Sequence, residues 1–396
     1  MFSSRVTKNF SANRISRLLA KKRLAGEIVY DLTLSNPTQL RLNYPAKEIR
    51  KVHSKAQVLR YEPDPQGLLS ARQAVARYYR QRGRLILPSD IFLTASTSEA
   101  YGYLFKLLAN PGEEILVPQP SYPLLESLSQ LESVQAQPYP IRYQKSDGWR
   151  IDLVKLRERI TTQTRAIVAV SPHNPMGHYL KPAELVGLNQ ICRDFNLALI
   201  VDEVFLDYSH GPRFKSFSCA GQGGVLTFVL SGLSKICGLP QMKLGWICMS
   251  GPLRLTRPAR ERLEWISDAY LSVGTAVQHG LPSLLPLRHF FQKQVRKRIL
   301  ENEEWLKKTL NGDPSIQYLQ AEGGWTALLK SDLFLAGEEF VYRLLNKKNV
   351  YIHPGYFYDF AQDGYIVASL LTPPHLFKVG ITRMYSFLRM RQNESH

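Results

Sequence analysis

Val225-Leu226-Thr227-Phe228-Val229-Leu230-Ser231-Gly232-Leu233-Ser234-Lys235 is an apolar run that ends in small residues and a lysine. A run of β-branched, aliphatic and aromatic residues closed by Ser and Gly predicts a buried strand, with the lysine delivered just beyond its carboxyl end. Ligands of open α/β sheets gather at that edge, where a lysine amine is placed to react with a carbonyl. Alone it carries little weight, because most lysines are solvated surface charges.

Two further runs give it company. Ala198-Leu199-Ile200-Val201 delivers Asp202 and Glu203, and Ala166-Ile167-Val168-Ala169-Val170 leads into Ser171-Pro172-His173-Asn174-Pro175-Met176-Gly177, a loop stiffened by proline and glycine. Three predicted strands thus end in Asn174, Asp202 and Lys235. From Tyr61 to about Ser272, helical stretches (68–82, 183–196) alternate with short apolar runs that include 115–117 and 244–249. That alternation predicts a mostly parallel sheet covered by helices. A charged helical stretch, 288–311, then leads into mixed strands and helices: 323–329, 338–347, 350–353, 365–371 and 375–391. The expected fold is α/β: a large domain over residues 51–280, a smaller α+β domain over 281–396, and an N-terminal segment, 1–50, packing with the small one.

The order Asn174-Pro175-x-Gly177, Asp202-Glu203-x-Phe205, Ser231-x-x-Ser234-Lys235 resembles the class I/II aminotransferases of the fold-type I pyridoxal-phosphate enzymes. The likeness continues through Tyr61-Glu62-Pro63-Asp64-Pro65-Gln66-Gly67, Thr94-Ala95-Ser96-Thr97-Ser98-Glu99-Ala100, Pro120-Ser121-Tyr122-Pro123 and Gly238-Leu239-Pro240. It spans nearly the whole chain. Asn-Pro-x-Gly by itself is a weak signal; so many pieces in order form a strong one.

The resemblance implies pyridoxal 5'-phosphate as cofactor and a ping-pong exchange of an amino group between an amino acid, or another amine, and a keto acid. Lys235 would be the Schiff-base lysine and proton carrier, with its pKa lowered by burial and nearby cationic groups. Asp202 would hold the proton of the cofactor's ring nitrogen. Asn174 matches the residue that donates to the ring's phenolic oxygen, and Tyr122 the aromatic that stacks on the ring. Read singly, Asn174 is a turn former and Tyr122 a core aromatic. Thr97 and Ser98 fall where a strand gives way to an apolar-periodic helix, so backbone N–H groups and hydroxyls converge on an anion there; the same geometry serves a helix cap. Ser231 and Ser234 match further phosphate contacts, and Tyr61 matches a tyrosine that reaches the phosphate from a neighbouring subunit. A homodimer with shared sites is therefore expected.

Three departures stand out. Phe205 replaces a tyrosine, removing a phenol beside the ring oxygen, which raises the expected Schiff-base pKa. Lys243 replaces an arginine, keeping the charge but losing the bidentate fork on phosphate. Val367, in Gly364-Tyr365-Ile366-Val367-Ala368-Ser369, stands where an arginine usually grips the substrate carboxylate. Either another cation takes over, with Arg383, Lys243 and Arg142 as candidates, although the setting of Arg383 reads as a helix surface, or the amino donor is not a standard α-amino acid. Asn36, in an Asn-Pro turn, is a second candidate for touching the carboxylate, and His353 and 356–360 would line the same side. Two other readings share these residues: a lyase or decarboxylase on the same scaffold, and a non-catalytic cofactor-binding regulator.

Composition fits a large enzyme: 396 residues, 44% hydrophobic, enough for a full core. No apolar run approaches the roughly 18 residues of a membrane span. The start, Met1 to Lys8, lacks the apolar core of a secretory signal, so the cytoplasm is expected, although its basic, acid-free character is faintly like a transit peptide. Cys192, Cys219, Cys237 and Cys248 have no metal or redox spacing and read as reduced. The net charge of +18 is spread over clusters at 14–23, 254–262 and 293–298 with solvated-helix spacing and no nucleic-acid reader motif. Neither nucleic acid nor membrane is expected as a partner.

Overall fold

A computed structural model describes residues 2–6, 11–54, 56–144, 146–334 and 337–394; Met1, Thr7 and Lys8 of the N-terminal stretch lie outside them. A short β1 (Tyr30–Asp31) comes first. The main sheet follows: β2 (Ile91–Thr94), β3 (Glu114–Gln119), β4 (Gln135–Gln144), β5 (Gly148–Ile151), β6 (Thr164–Val170), β7 (Ala198–Asp202), β8 (Thr227–Gly232) and β9 (Gly245–Ser250). Then come β10 (Gln317–Leu319), β11 (Thr326–Lys330), β12 (Val350–Tyr351), β13 (His353–Pro354) and β14 (Tyr365–Ser369).

The main sheet runs β2-β9-β8-β7-β6-β3-β4-β5. Its centre, β8 to β4, is parallel, while β9 lies antiparallel to both β8 and β2, and β5 closes a hairpin on β4. The parallel core follows from residues that are apolar on both faces. Ile167, Ala169, Leu199, Val201 and Val229 face one apolar cluster, while Ala166, Val168, Ala198, Ile200, Phe228 and Leu230 face the other. Helices Leu69–Arg80, Pro182–Phe195 and Thr275–Leu284 contribute to the first, and Thr97–Leu108 and Leu253–Asp268 to the second.

In the second sheet the order is β10-β11-β14-β13, all antiparallel. It shares an apolar cluster with helices Arg288–Leu310, Gly337–Lys348 and Pro374–Glu394. The N-terminal segment joins this part of the chain: β1 pairs in parallel with β12, Tyr30 opposite Val350 and Asp31 opposite Tyr351. Among the described residues no helix is long and apolar enough to cross a membrane.

Candidate active site

Register places the key residues at one edge of the main sheet. Val170, the last residue of β6, pairs with Asp202, the last of β7, and Asp202 pairs with Leu230 on β8. The loops after these strands therefore emerge side by side. There they surround a cavity of about 400 Å³, lined among others by Asn174, Asp202, Ser234 and Lys235. Tyr122, Thr97 and Ser98 border the same space.

The strand period separates the two neighbouring carboxylates. Asp202 turns into the cavity, whereas Glu203 is buried away from it, accepting from Ser218 Oγ at 2.6 Å and Cys219 N at 2.6 Å. Asp202 Oδ2 accepts from the Tyr101 hydroxyl at 3.1 Å and Oδ1 from Val204 N at 3.0 Å. Burial pushes its carboxyl up to about 6 against the pull of these donors and of Lys235. Burial likewise pushes the Lys235 ammonium down to about 8, with Asp202 opposing. Among the described residues Lys235 Nζ makes no hydrogen bond or ion pair; it lies 4.9 Å from the Trp325 ring centre and 5.5 Å from that of Phe205.

Helix Thr97–Leu108 opens on the cavity. Ser96 caps it, accepting from Glu99 N at 3.2 Å, and Glu99 accepts in turn from Ala95 N at 2.6 Å. The N–H groups of the first turn that remain free, with the hydroxyls of Thr97 and Ser98, form an anion-binding corner. Its floor is bare backbone: a Cβ on Gly245 would lie 3.1 Å from Ser96 C and 3.2 Å from Thr94 Oγ1, and one on Gly232 would lie 2.8 Å from Gly245 Cα. The Asn174 loop is fixed from the second sheet. Thr326 Oγ1 donates to Pro175 O at 2.7 Å, and Gly323 N to Gly177 O at 3.0 Å.

Several expected residues sit elsewhere. Ser231 is buried in β8 with its hydroxyl unpartnered among the described residues, and it does not open on the cavity. Lys243 closes the turn after Pro240–Met242 with a left-handed φ of 49° and points its side chain to solvent. Tyr61 is 75% exposed and borders a separate recess with Ser272 and Gln278. The Asn36 carboxamide caps its own turn, accepting from Thr38 N and Oγ1, while Thr33 and Ser35 are the residues that reach the cavity. Arg383 is exposed on the C-terminal helix, donating to Lys348 O and stacking on Tyr30; Arg142 pairs with Asp152 on β4. Neither lines the cavity, and Val367 does.

Other lining residues carry no motif. Tyr101 lies one helical turn beyond Ser98 and reads as a core aromatic in sequence, and Trp325 reads as strand core. His353 lies opposite Val367 in the β13–β14 register. Its Nδ1 faces Tyr358 Oη at 3.2 Å, its ring stacks on Phe357 at 5.1 Å, and burial pushes it down to about 4, so the imidazole is neutral.

The profile of a family described as aminotransferase class I and II matches residues 27–374. The chain belongs to that family. The Escherichia coli glutamate–pyruvate aminotransferase AlaA is 27% identical over 312 residues, which cover 78% of this chain and 76% of that one. Among solved structures, an alanine aminotransferase from Pyrococcus furiosus superposes with a TM-score of 0.87 at 24% identity, covering 98% of this chain and all of the other. A further aminotransferase from E. coli gives 0.85 at 23% identity, with 98% of both chains covered. The chain is thus a pyridoxal-phosphate-dependent aminotransferase, moving amino groups between an amino compound and a keto compound. The residues present fit that cofactor: a half-buried lysine whose amine makes no hydrogen bond among the described residues, a half-buried carboxylate and an uncharged anion corner open on one cavity.

Proposed function

We propose that the cavity at the carboxyl ends of β6, β7 and β8 is the transamination site and that Lys235 is its reactive amine. The observation that supports this most is the convergence of Lys235, Asp202, Asn174, Tyr122 and the Thr97–Ser98 helix start on one space. Thr97 and Ser98, with Ser234, would hold the phosphate; Asp202 would pair with the ring nitrogen, Asn174 with the ring oxygen, and Tyr122 would cover the ring. Pyridoxal phosphate, when bound, supplies an electron sink for the pair of electrons left on the substrate carbon.

The protein's own part is positioning and proton transfer. With its pKa near 8, Lys235 Nζ exists partly as free base at neutral pH, so it can bond to a carbonyl and, once displaced by the incoming amine, take a proton from the substrate carbon and return it elsewhere. Tyr101 and Val204 N hold the Asp202 carboxylate in place and favour its ionised form, which keeps a proton on a basic nitrogen opposite it. Trp325 and Phe205 wall the amine off from water. Tyr61, exposed on this chain, would contribute to the site of a second copy in the proposed homodimer, and the cytoplasm remains the proposed location.

The test is an absorbance spectrum of the cofactor-loaded protein before and after amino donors, repeated with Lys235→Ala. The expected result is a band that depends on Lys235 and shifts when a donor is added. A bound cofactor whose band is the same in Lys235→Ala would overturn the assignment.

A further inference from the structure

Apart from Lys235, whose amine is committed to the reaction, the cavity has no cation among its described lining residues. The one anion-binding corner, at Thr97 and Ser98, is taken by the phosphate on the reading above, on which this inference rests.

The wall formed by the second sheet and the N-terminal segment is turned against anions in a more specific way. Val367, 2% exposed, presents only methyl groups. Three of its neighbours carry hydroxyls whose protons are already used. Thr33 Oγ1 donates to Asp31 Oδ1 at 2.6 Å, Ser369 Oγ donates to Leu34 O, and Thr326 Oγ1 donates to Pro175 O at 2.7 Å. Each therefore has only acceptor capacity left, Ser369 Oγ with one lone pair already taken by Leu371 N at 3.2 Å. Behind Thr33 the Asp31 carboxylate is paired with the Arg23 guanidinium at 2.8 Å. Across the register from Val367 stands His353, a neutral imidazole with one nitrogen at Tyr358.

A substrate carboxylate against this wall would lose water and meet methyl groups and acceptors in return, with at most the single N–H of neutral His353 to set against them, the costly case for a buried charge. A carboxamide would meet the same acceptors with its NH₂ donors, and a plain alkyl or hydrogen substituent would meet Val367. We propose that the cross-strand pair His353 and Val367, with the outward-donating hydroxyls of Thr33 and Ser369, makes this cavity select amines whose reacting carbon bears a neutral substituent in place of a carboxylate.

Two measurements on the cofactor-loaded protein test it. The first reads binding without turnover: 4-methylpentanamide against 4-methylpentanoate by calorimetric titration at pH 7.5. The amide is expected to bind at least roughly tenfold more tightly, since a desolvated, unpaired carboxylate is disfavoured by more than one decade. Equal or tighter binding of the carboxylate overturns the proposal, whether the missing cation comes from a second subunit or from elsewhere. The second reads the cofactor spectrum with leucinamide, isopentylamine and leucine. Faster conversion by either neutral donor supports the proposal, and faster conversion by leucine overturns it. A spectrum unmoved by all three, together with a clear amide preference in the titration, sinks the transamination reading and leaves the selectivity standing. Val367→Arg is expected to invert the titration preference.

Discussion

The Tyr101 hydroxyl donates to Asp202 Oδ2 at 3.1 Å, from the second turn of the helix whose start forms the anion corner. One helix thus serves both ends of the site, its first turn facing the phosphate corner and its second the carboxylate. Tyr101 is buried, and its phenol is held well above its usual range by burial first and by Asp202 next, so it stays a donor at any working pH.

Tyr101→Phe removes one of the groups that favour ionised Asp202. The carboxyl, already at about 6, moves higher, and a larger fraction is protonated near neutrality. Because a protonated ring nitrogen needs the ionised form opposite it, cofactor affinity should fall by roughly tenfold, as for a hydrogen bond to a charged group. The loss should be greater at pH 6 than at pH 8. Fluorescence titration of the apoprotein with pyridoxal phosphate at both values checks this; an equal loss at both would place the role of Tyr101 in packing instead.

Lys235 carries the opposite sign. Its folded pKa of about 8 lies below the ordinary lysine value of 10.5, so folding disfavours its charged form. Its contribution is nil above the unfolded value, grows unfavourable as pH falls from that value toward the folded one, and is at its full unfavourable size below the folded one. Lys235→Met should therefore raise the thermal midpoint of the apoprotein, fully below about pH 8 and with a vanishing gain between 8 and 10.5. A thermal scan at pH 7 and pH 10 reads the difference. A lower midpoint at pH 7 would show that Lys235 is stabilised by contacts beyond Asp202.

Much of this arrangement is legible in the chain, because strand ends are local. Runs such as 166–170 and 198–201 announce buried parallel strands, and whatever follows each must emerge at the same edge, which brings Asn174, Asp202 and Lys235 together. Long-range packing was not legible. Thr33 and Ser35 reach the cavity because β1 pairs with β12, some 320 positions away, while Asn36, the polar residue with the stronger local signal, spends its carboxamide on its own turn. Charge alone also misleads. Lys243, Arg142 and Arg383 are cations near the right places in sequence, yet the turn, strand and helix that carry them aim them at solvent or at Asp152 and Tyr30. Tyr101 and Trp325 were hidden because aromatics at helix and strand periods read as core, and only the structure shows which of their neighbours is Asp202 or Lys235.

Gly177 closes the Asn174 loop with a φ of 71°. A Cβ there would lie 2.4 Å from Gly323 O and 2.6 Å from Ala321 Cβ, so Gly177→Ala meets both backbone strain and a clash with a segment that cannot retreat without breaking Gly323 N to Gly177 O. The expected loss of stability is about 2–4 kcal/mol, accompanied by weaker cofactor binding as Asn174 shifts. Thr326→Val, which removes only the bond to Pro175 O, should cost about 1 kcal/mol. Urea unfolding of both variants separates them, and a Gly177→Ala protein as stable as Thr326→Val would show that the loop yields more easily than its contacts imply.

Asp207 ties the segment after Asp202 to the helical layer. Its side chain is fully buried against Arg82, accepts from Gln292 Nε2 at 2.7 Å and from Tyr78 Oη at 3.3 Å, and its carbonyl accepts from Arg296 Nε and Nη2 at 3.1 and 2.8 Å. The partners come from the helices Leu69–Arg80 and Arg288–Leu310 and the turn after the first. Asp207→Asn keeps the shape but leaves the Arg82 charge without its counterion in a largely buried place. Removing one member of such a pair costs about 3–5 kcal/mol, whereas replacing both can be nearly neutral. Asp207→Asn should accordingly be much less stable than the wild type, and Arg82→Met combined with Asp207→Asn should recover part of the loss. A double-mutant cycle by urea unfolding reads this directly. Simple additivity would mean that Arg82 is stabilised by its stack on the Tyr78 ring, 4.7 Å from the ring centre, more than by Asp207.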